Sequence, residues 1–256
     1  MASSIAWETI FNRYNINEHN FNNEPFVITS RQIKDATSHF TETSQKEVRL
    51  LCKQDTRTDR PDIFIDNELF LLPKKNGIYY IIKGEGYIDI PIITTQPIEY
   101  DSNLDFCLET SVIGNSEMQH LDFAYASSLI RTFMNDDSLV LTIRGRKYTP
   151  EFNFNVNGFN IQTKSVQTEV DAGYEGRNQV VLVEAKNSAS TNTIIRQLFY
   201  PFKQWSQHTN KEIKCIFFEK QNDIYNIWEF VFDDVNDYNS IRLNRSAKYS
   251  INCIED

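Results

Sequence analysis

The chain of 256 residues is long enough to bury a substantial core, and its 40% hydrophobic content excludes an intrinsically disordered protein. Its formal net charge of −9 argues against a simple nucleic-acid coat, because phosphate contacts need Lys and Arg, but it is compatible with a DNA enzyme that has a local basic cleft. No apolar run of about 18 residues is present, and the start, MASSIAWETIF, lacks the basic and apolar segments of a secretory signal. We therefore expect a cytoplasmic protein that makes no membrane contact.

The cysteines give no indication of a metal site. They are Cys52, Cys107, Cys215 and Cys253, and they neither pair as C-x-x-C nor lie near a histidine at metal-ligand spacing. This pattern is typical of reduced thiols in a cytosolic protein.

Residues 1–95 are predicted to form an N-terminal α+β domain. A short helix over residues 6–13 precedes two helices within residues 30–53, the first capped by Ser30 and the second by Thr43 or Ser44. Short strands are predicted in IFID, LFLLP, GIYYIIKG and YIDIPII, with a hairpin at Asn76-Gly77.

Two helices followed by a hairpin is the order of a winged-helix unit, and basic residues outnumber acidic ones between residues 31 and 60. A DNA-contacting element is one interpretation of this region. Its candidate DNA-binding residues are Arg31, Lys34, Arg49, Lys53, Arg57 and Arg60. A small domain with solvated charged faces explains the same residues equally well, so both interpretations stay open.

The polar stretch 94–103, TTQPIEYDSN, is predicted to link this domain to a second one over residues 100–256. There, a helix over 116–134, capped by Ser116, precedes the strands SLVLTIRG, EFNFNVNG, FNIQTKSVQTEVD and NQVVLVEAK, with a hairpin at Asn157-Gly158. A helix over 191–207, which Pro201 is expected to kink, and the strands KCIFFEK and IYNIWEFVF follow.

The strand VVLVEAK ends in two charges where an apolar core would otherwise continue. Glu184 and Lys186 share a face, since residues i and i+2 of a strand point to the same side. Upstream, in TEVDAGYEG, Glu169 and Asp171 share a face as well, and a turn at 173–178 would fold the two strand ends together. Asp171, Glu184 and Lys186 are therefore expected to meet at one point.

Two carboxylates and a lysine suit phosphodiester hydrolysis. Hard oxygen ligands favour Mg²⁺, which lowers the pKa of a bound water and neutralises charge that builds up on a phosphate. The lysine can orient that water or hold a phosphate oxygen. The structural alternative is a surface hairpin that carries an exposed Glu–Lys pair. A second E-x-K, at Glu212 and Lys214, has no acidic strand turned towards it and is expected to be a solvated strand end.

Asp171…Glu184-Ala185-Lys186, in this order of helices and strands, resembles the PD-(D/E)XK nuclease superfamily. The longer string EVDAGYEGRNQVVLVEAKNS…IIRQLFYPFKQW resembles a type II restriction endonuclease family within it, as do the upstream segments PFVITSRQIKDAT, TDRPDIF and LPKKNGIYYIIKGEGYIDIP. The resemblance covers most of the chain. It implies an α/β (α+β) fold with a PD-(D/E)XK restriction-endonuclease-like core, in which helices flank a mixed sheet. It also implies a Mg²⁺-dependent homodimer that cuts double-stranded DNA at a short sequence, beside a cognate DNA methyltransferase.

The resemblance also assigns the residues of the site. Asp171, Glu184 and the Ala185 carbonyl would hold the metal, and Lys186 would be the catalytic lysine. Val170 stands where the superfamily motif has proline. Glu169 is the second candidate for the role of Asp171: it could replace Asp171 as a metal ligand or support it.

Further candidates lie on the neighbouring helices and strands. Gln197 lies on the helix after the motif, and its alternative interpretation is a surface glutamine. Glu117 lies near the start of the helix before the core, and its alternative interpretation is an acid that favours a helix N-terminus. Four cations are candidates for phosphate contact, namely Arg144, Arg146, Lys147 and Arg196. The alternative is that they are solvated residues of a strand end or a helix.

The sequence therefore predicts a type II site-specific deoxyribonuclease that leaves 5′-phosphate ends. One alternative is a repair or recombination nuclease of the same fold that cuts by DNA structure. The other is a non-catalytic winged-helix DNA-binding regulator.

Overall fold

Helices flank a large mixed sheet in the computed structural model, which describes residues 2–252. The expected mixed α/β class is therefore confirmed at this level. Within residues 2–252, no helix combines the length and apolar character needed to cross a membrane.

The N-terminal part places short helices on a small antiparallel sheet of order β1-β3-β2. Its elements are α1 (Ser4–Arg13), β1 (Phe26–Thr29), α2 (Ser30–Ala36), α3 (Thr43–Lys46), α4 (Val48–Leu51), α5 (Asp62–Asp66), β2 (Leu69–Lys75) and β3 (Ile78–Lys83). The β2–β3 hairpin turns at the predicted position, where Gly77 has a φ of +76°, a conformation that costs glycine little.

Three predictions for this part need correction. IFID is not a strand but lies in α5, because Phe64 packs edge-on against Trp7 and Phe11 in the helical core. Thr29 rather than Ser30 caps α2, through a capping box with Gln32. The second predicted helix is divided into α3 and α4, because the backbone is extended at Glu47.

The C-terminal part contains β4 (Tyr87–Asp89), β5 (Ile98–Asp101), α6 (Glu117–Ala126), α7 (Leu129–Met134), β6 (Val140–Tyr148), β7 (Phe152–Val156), β8 (Phe159–Thr163), β9 (Gln167–Glu175), β10 (Gln179–Lys186), β11 (Asn192–Ile194), α8 (Arg196–Ser206), β12 (Glu212–Gln221), β13 (Ile224–Phe232) and β14 (Ile241–Asn252). Among the described residues, the large sheet has the order β5-β14-β13-β12-β10-β9-β6. The β10–β12 and β14–β5 pairs are parallel and the other pairs are antiparallel.

Several C-terminal predictions also change. The predicted linker 94–103 contains β5, which is an edge strand of the large sheet. The helix predicted over 116–134 is broken between α6 and α7, where Ser128 has a left-handed φ of 67°. Its Ser116 cap is confirmed, since the hydroxyl accepts a hydrogen bond from Gln119 N at 3.1 Å.

The two parts share strands β2 and β3, whose side chains alternate between two cores. Leu69 and Leu71 lie in the N-terminal core with Trp7. Phe70 and Leu72 lie in the core that contains Phe199 of α8. This common sheet holds the N-terminal part against the C-terminal part.

The cysteines can be placed in part. Cys52 and Cys215 are free thiols, as expected. Cys253 lies outside the described residues.

Candidate active site

The β9–β10 hairpin brings Asp171 to the end of strand β10. The antiparallel ladder runs from Val180 opposite Glu175 to Val183 opposite Ala172. Just beyond it, the Ala185 N–H donates a hydrogen bond to Asp171 Oδ2 at 2.7 Å. The carboxylate thus ties the two strands together where their backbone pairing ends.

Glu184 and Lys186 lie on the same face of β10, as the strand period predicts. The Lys186 ammonium forms an ion pair with the Glu184 carboxylate and also donates to the Ala185 carbonyl at 3.2 Å. The parallel neighbour β12 places Phe217 beside Glu184. The Glu184 side chain is consequently only 11% exposed, against 25% for Lys186.

Burial and mutual repulsion perturb the acids of this group. Burial raises the pKa of Glu184 to about 7, and the nearby Asp171 charge adds to the rise while Lys186 opposes it. Burial also raises the pKa of Asp171, although the hydrogen bond from Ala185 and the charge of Lys186 oppose the shift. Burial alone would lower the pKa of Lys186, but the Glu184 and Asp171 charges outweigh it and raise that pKa. The lysine is therefore a cation at neutral pH.

These residues line a cleft of about 530 Å³. Every residue predicted to be catalytic borders it, namely Asp171, Glu184, Lys186, Glu169, Gln197 and Glu117. The structure therefore brings together side chains from β9, β10, α6 and α8 that are up to 80 positions apart in the chain.

The three secondary candidates are held in different ways. Glu117 is the first residue of α6 and borders the cleft. Gln197 Oε1 accepts a hydrogen bond from Thr193 Oγ1 at 2.6 Å. Glu169 pairs with Arg146 at 3.2 Å, which leaves it less available than Asp171.

Many of the predicted DNA-binding residues already have acidic partners. Arg144 pairs with Asp122, and Arg57 pairs with Glu85 and Asp89. Asp55 pairs with both Arg196 and Lys53. Of this group, Arg196 alone borders the cleft. The sequence could not indicate these tertiary ion pairs.

The remaining predicted cations lie in three settings. Arg31, Lys34 and Arg49 are exposed. Arg60 lies over the Tyr87 ring and donates to the Leu69 carbonyl. Lys147 lies over the Trp205 ring.

Sequence reasoning missed Glu219, which stands beside Lys186 on the neighbouring strand β12. Its side chain is buried, and burial raises its pKa. The carboxylate accepts a hydrogen bond from Ser190 N at 3.1 Å and so fixes the loop that follows β10. The missed signal was an acid directly after the apolar run CIFF, as Glu184 follows VVLV.

The donor atoms at the site suit a hard divalent cation. The carboxylates of Asp171 and Glu184 and the Ala185 carbonyl are oxygen donors, and the two partly buried acids lie near a single ammonium, that of Lys186. In residues 2–252, no group of three or more His, Cys, Asp and Glu side chains has an arrangement that would hold a metal ion. A cation here would therefore depend on two carboxylates, a backbone carbonyl and ligands from solvent or substrate.

Two family models match the chain. The domain of unknown function DUF6996 matches residues 4–81, and the domain of unknown function DUF6997 matches residues 82–250. The two models meet within strand β3. No curated protein and no solved structure was found to match the chain.

Proposed function

The chain belongs to the DUF6997 family, and we propose that it is a Mg²⁺-dependent type II deoxyribonuclease with a PD-(D/E)XK catalytic core. One observation carries the proposal. Asp171, Glu184 and Lys186 meet where the pairing of β9 with β10 ends, in an open cleft, with the Glu184 pKa raised to about 7. Strongly perturbed acids beside a lysine in a cleft are characteristic of a catalytic site.

In this proposal Asp171, Glu184 and the Ala185 carbonyl hold the cation, which would supply a Lewis acid for the charge that develops on the phosphate. Lys186, a cation at neutral pH, donates a hydrogen bond to a phosphate oxygen or to the attacking water. The ion pair with Glu184 keeps the ammonium in place before substrate enters. Hydrolysis leaves a 5′-phosphate and a 3′-hydroxyl.

The remaining cleft residues position the substrate. Arg196 borders the cleft, and its guanidinium pairs with the Asp55 carboxylate at 3.5 Å. In this proposal the guanidinium contacts a neighbouring phosphate. Gln197 of α8 and Glu117 of α6 border the cleft and would orient water or ligands of the cation.

The N-terminal part supports DNA as the substrate. Its order of helix, strand, helices and hairpin, with the sheet order β1-β3-β2, resembles that of a winged helix, and this resemblance supports the proposal. We propose that this unit delivers double-stranded DNA to the cleft of a cytoplasmic homodimer that works beside a cognate methyltransferase.

The test compares wild type with two lysine variants on long unmethylated and methylated duplexes, in Mg²⁺ and in EDTA. Lys186→Ala removes the proposed catalytic ammonium. Lys214→Ala is the matched control, since Lys214 closes the second E-x-K, pairs with Glu212 and Glu229 and does not line the cleft. Glu229 keeps its ion pair with Arg245 in this variant. Thermal melting confirms that both variants are folded.

We expect wild type to produce discrete fragments in Mg²⁺ and none in EDTA. The cleavage rate should fall at least about a hundredfold in Lys186→Ala and stay near wild type in Lys214→Ala. Ligation of the products without kinase treatment tests for the 5′-phosphate. Cleavage of branched substrates only would instead identify a repair or recombination nuclease. Tight DNA binding without any cleavage would instead identify a DNA-binding regulator.

A further inference from the structure

A second groove, of about 610 Å³, adjoins the catalytic cleft. Lys186 borders both spaces. One wall comes from residues 44–59 of the N-terminal part and the other from residues 186–193 after β10. We propose that this groove holds the nucleotide next to the scissile phosphate and reads the edge of its base, an inference that rests on the proposed function.

The groove is preformed, because short contacts join its two walls. Ile194 N donates to the Asp55 carbonyl at 2.8 Å, and Arg57 N donates to Asn192 Oδ1 at 2.8 Å. The Asp55 carboxylate also reaches Arg196 at 3.5 Å. Walls tied at several points hold contact groups in fixed places, as sequence recognition requires.

The charges inside the groove are matched within the protein. Asp55 is shared by Lys53 and Arg196, and Asp59 accepts hydrogen bonds from Thr56 N at 3.0 Å and Thr56 Oγ1 at 2.7 Å. Lys186 is paired with Glu184. Two lysines, Lys53 and Lys186, and two aspartates, Asp55 and Asp59, line the groove, so it offers no net formal charge to attract a phosphate.

What the groove offers is a pattern of neutral contacts. The exposed hydroxyls of Ser44 and Thr58 lie on one wall and that of Ser188 on the other. Each hydroxyl can both donate and accept, which suits the mixed donors and acceptors of a base edge. Leu50, which is 37% exposed, adds an apolar surface between them. Base contacts specify a sequence, whereas phosphate contacts only position the strand.

A binding selection separates this inference from the nuclease activity. A pool of duplexes with a randomised central segment is bound in Ca²⁺, and the bound fraction is sequenced. The proteins are wild type, Ser44→Ala/Thr58→Val, Ser188→Ala and the control Thr142→Val, which changes an exposed threonine on β6 outside both grooves. Cleavage of a long duplex in Mg²⁺ is measured in parallel.

We expect wild type and Thr142→Val to enrich the same sequences. Enrichment at one or two positions should fall about tenfold in the groove variants, which corresponds to about 1.4 kcal/mol for the lost base contacts. The same enrichment in all four proteins, alongside cleavage, would overturn the inference and keep the nuclease. Groove-dependent enrichment without cleavage would keep base reading by this groove but overturn the nuclease and, with it, the placement beside a scissile phosphate. No DNA binding by wild type would overturn both.

Discussion

The carboxylate of Asp171 accepts a hydrogen bond from the backbone N–H of Ala185 at 2.7 Å, just beyond the last ladder pair of β9 and β10, Ala172 with Val183. The same side chain therefore ends the hairpin and borders the cleft. Its structural and chemical roles use different properties of the group. An acceptor oxygen suffices for the hairpin, whereas the proposed chemistry needs a negative charge.

Substitution of Asp171 should separate these two roles. Asp171→Asn keeps an acceptor for the Ala185 N–H, so the free energy of unfolding should change by less than about 1 kcal/mol. The cleavage rate should fall at least about a hundredfold, because the negative charge is lost. Asp171→Ala should lose cleavage and also about 1–2 kcal/mol of stability. Urea unfolding in EDTA and cleavage rates in Mg²⁺ provide the two readouts. Wild-type cleavage by Asp171→Asn would exclude the carboxylate from the chemistry.

The raised Glu184 pKa predicts an unusual pH dependence of stability in metal-free protein. Between its ordinary pKa of 4.5 and the folded value of about 7, the folded state binds more protons than the unfolded state. Linkage then requires the free energy of unfolding to fall as pH rises through this window. The contribution is complete below about pH 4.5 and lost above about pH 7, and its size is on the order of 3 kcal/mol.

Urea unfolding in EDTA at pH 5 and pH 8 measures this effect. Wild type should lose more stability between the two values than Glu184→Gln, which has no carboxyl group to titrate. Glu212→Gln is the matched control, because Glu212 is exposed at the start of β12. An identical loss in wild type and Glu184→Gln would show that burial does not perturb Glu184.

The cations of the predicted DNA surface should divide into two classes. Arg144 is paired with Asp122 and holds α6 on the sheet, so Arg144→Gln should cost on the order of 1 kcal/mol of stability and leave the salt dependence of DNA binding unchanged. Arg49 is exposed, and Arg49→Gln should lower the slope of log affinity against log salt by about 1. Fluorescence anisotropy of a labelled duplex across a salt series measures that slope. A reduced slope in Arg144→Gln alone would reverse the assignment.

The core of the site could be predicted because its signals are local. Residues 180–183 are all buried, so the apolar run marked β10, and the period of two then placed Glu184 and Lys186 together. The turn after Glu175 folded Asp171 back, as a short hairpin must. The partners of the arginines depend on contacts between distant segments, such as Arg196 with Asp55, and no local pattern indicates them.

The fold predictions failed where tertiary pairing decides the structure. β14 went unrecognised because IRLNRSAKYSIN lacks a continuous apolar face, yet its pairing with β13 makes it a strand of the sheet. β5 lies in a polar stretch and is a strand only because β14 provides its ladder. IFID is rich in residues that favour strands, but burial of Phe64 against Trp7 selects a helix.

Glu219 offers a last test, of whether an acid beside Lys186 positions the site or takes part in it. Its carboxylate accepts a hydrogen bond from Ser190 N, so Glu219→Ala should leave that N–H without its partner and cost about 1–3 kcal/mol of stability. Displacement of the 187–191 loop should also slow cleavage. Glu219→Gln keeps an acceptor oxygen and removes a charge that burial disfavours, so both stability and cleavage should stay near wild type.

The comparison of the two Glu219 variants is informative in either direction. Recovery by glutamine, measured by thermal melting and by cleavage rates in Mg²⁺, identifies Glu219 as a positioning residue, since only its hydrogen bond is then required. A stable Glu219→Gln protein that fails to cleave would instead place a needed negative charge on β12. The chemistry would then extend across three neighbouring strands, from Asp171 through Glu184 to Glu219.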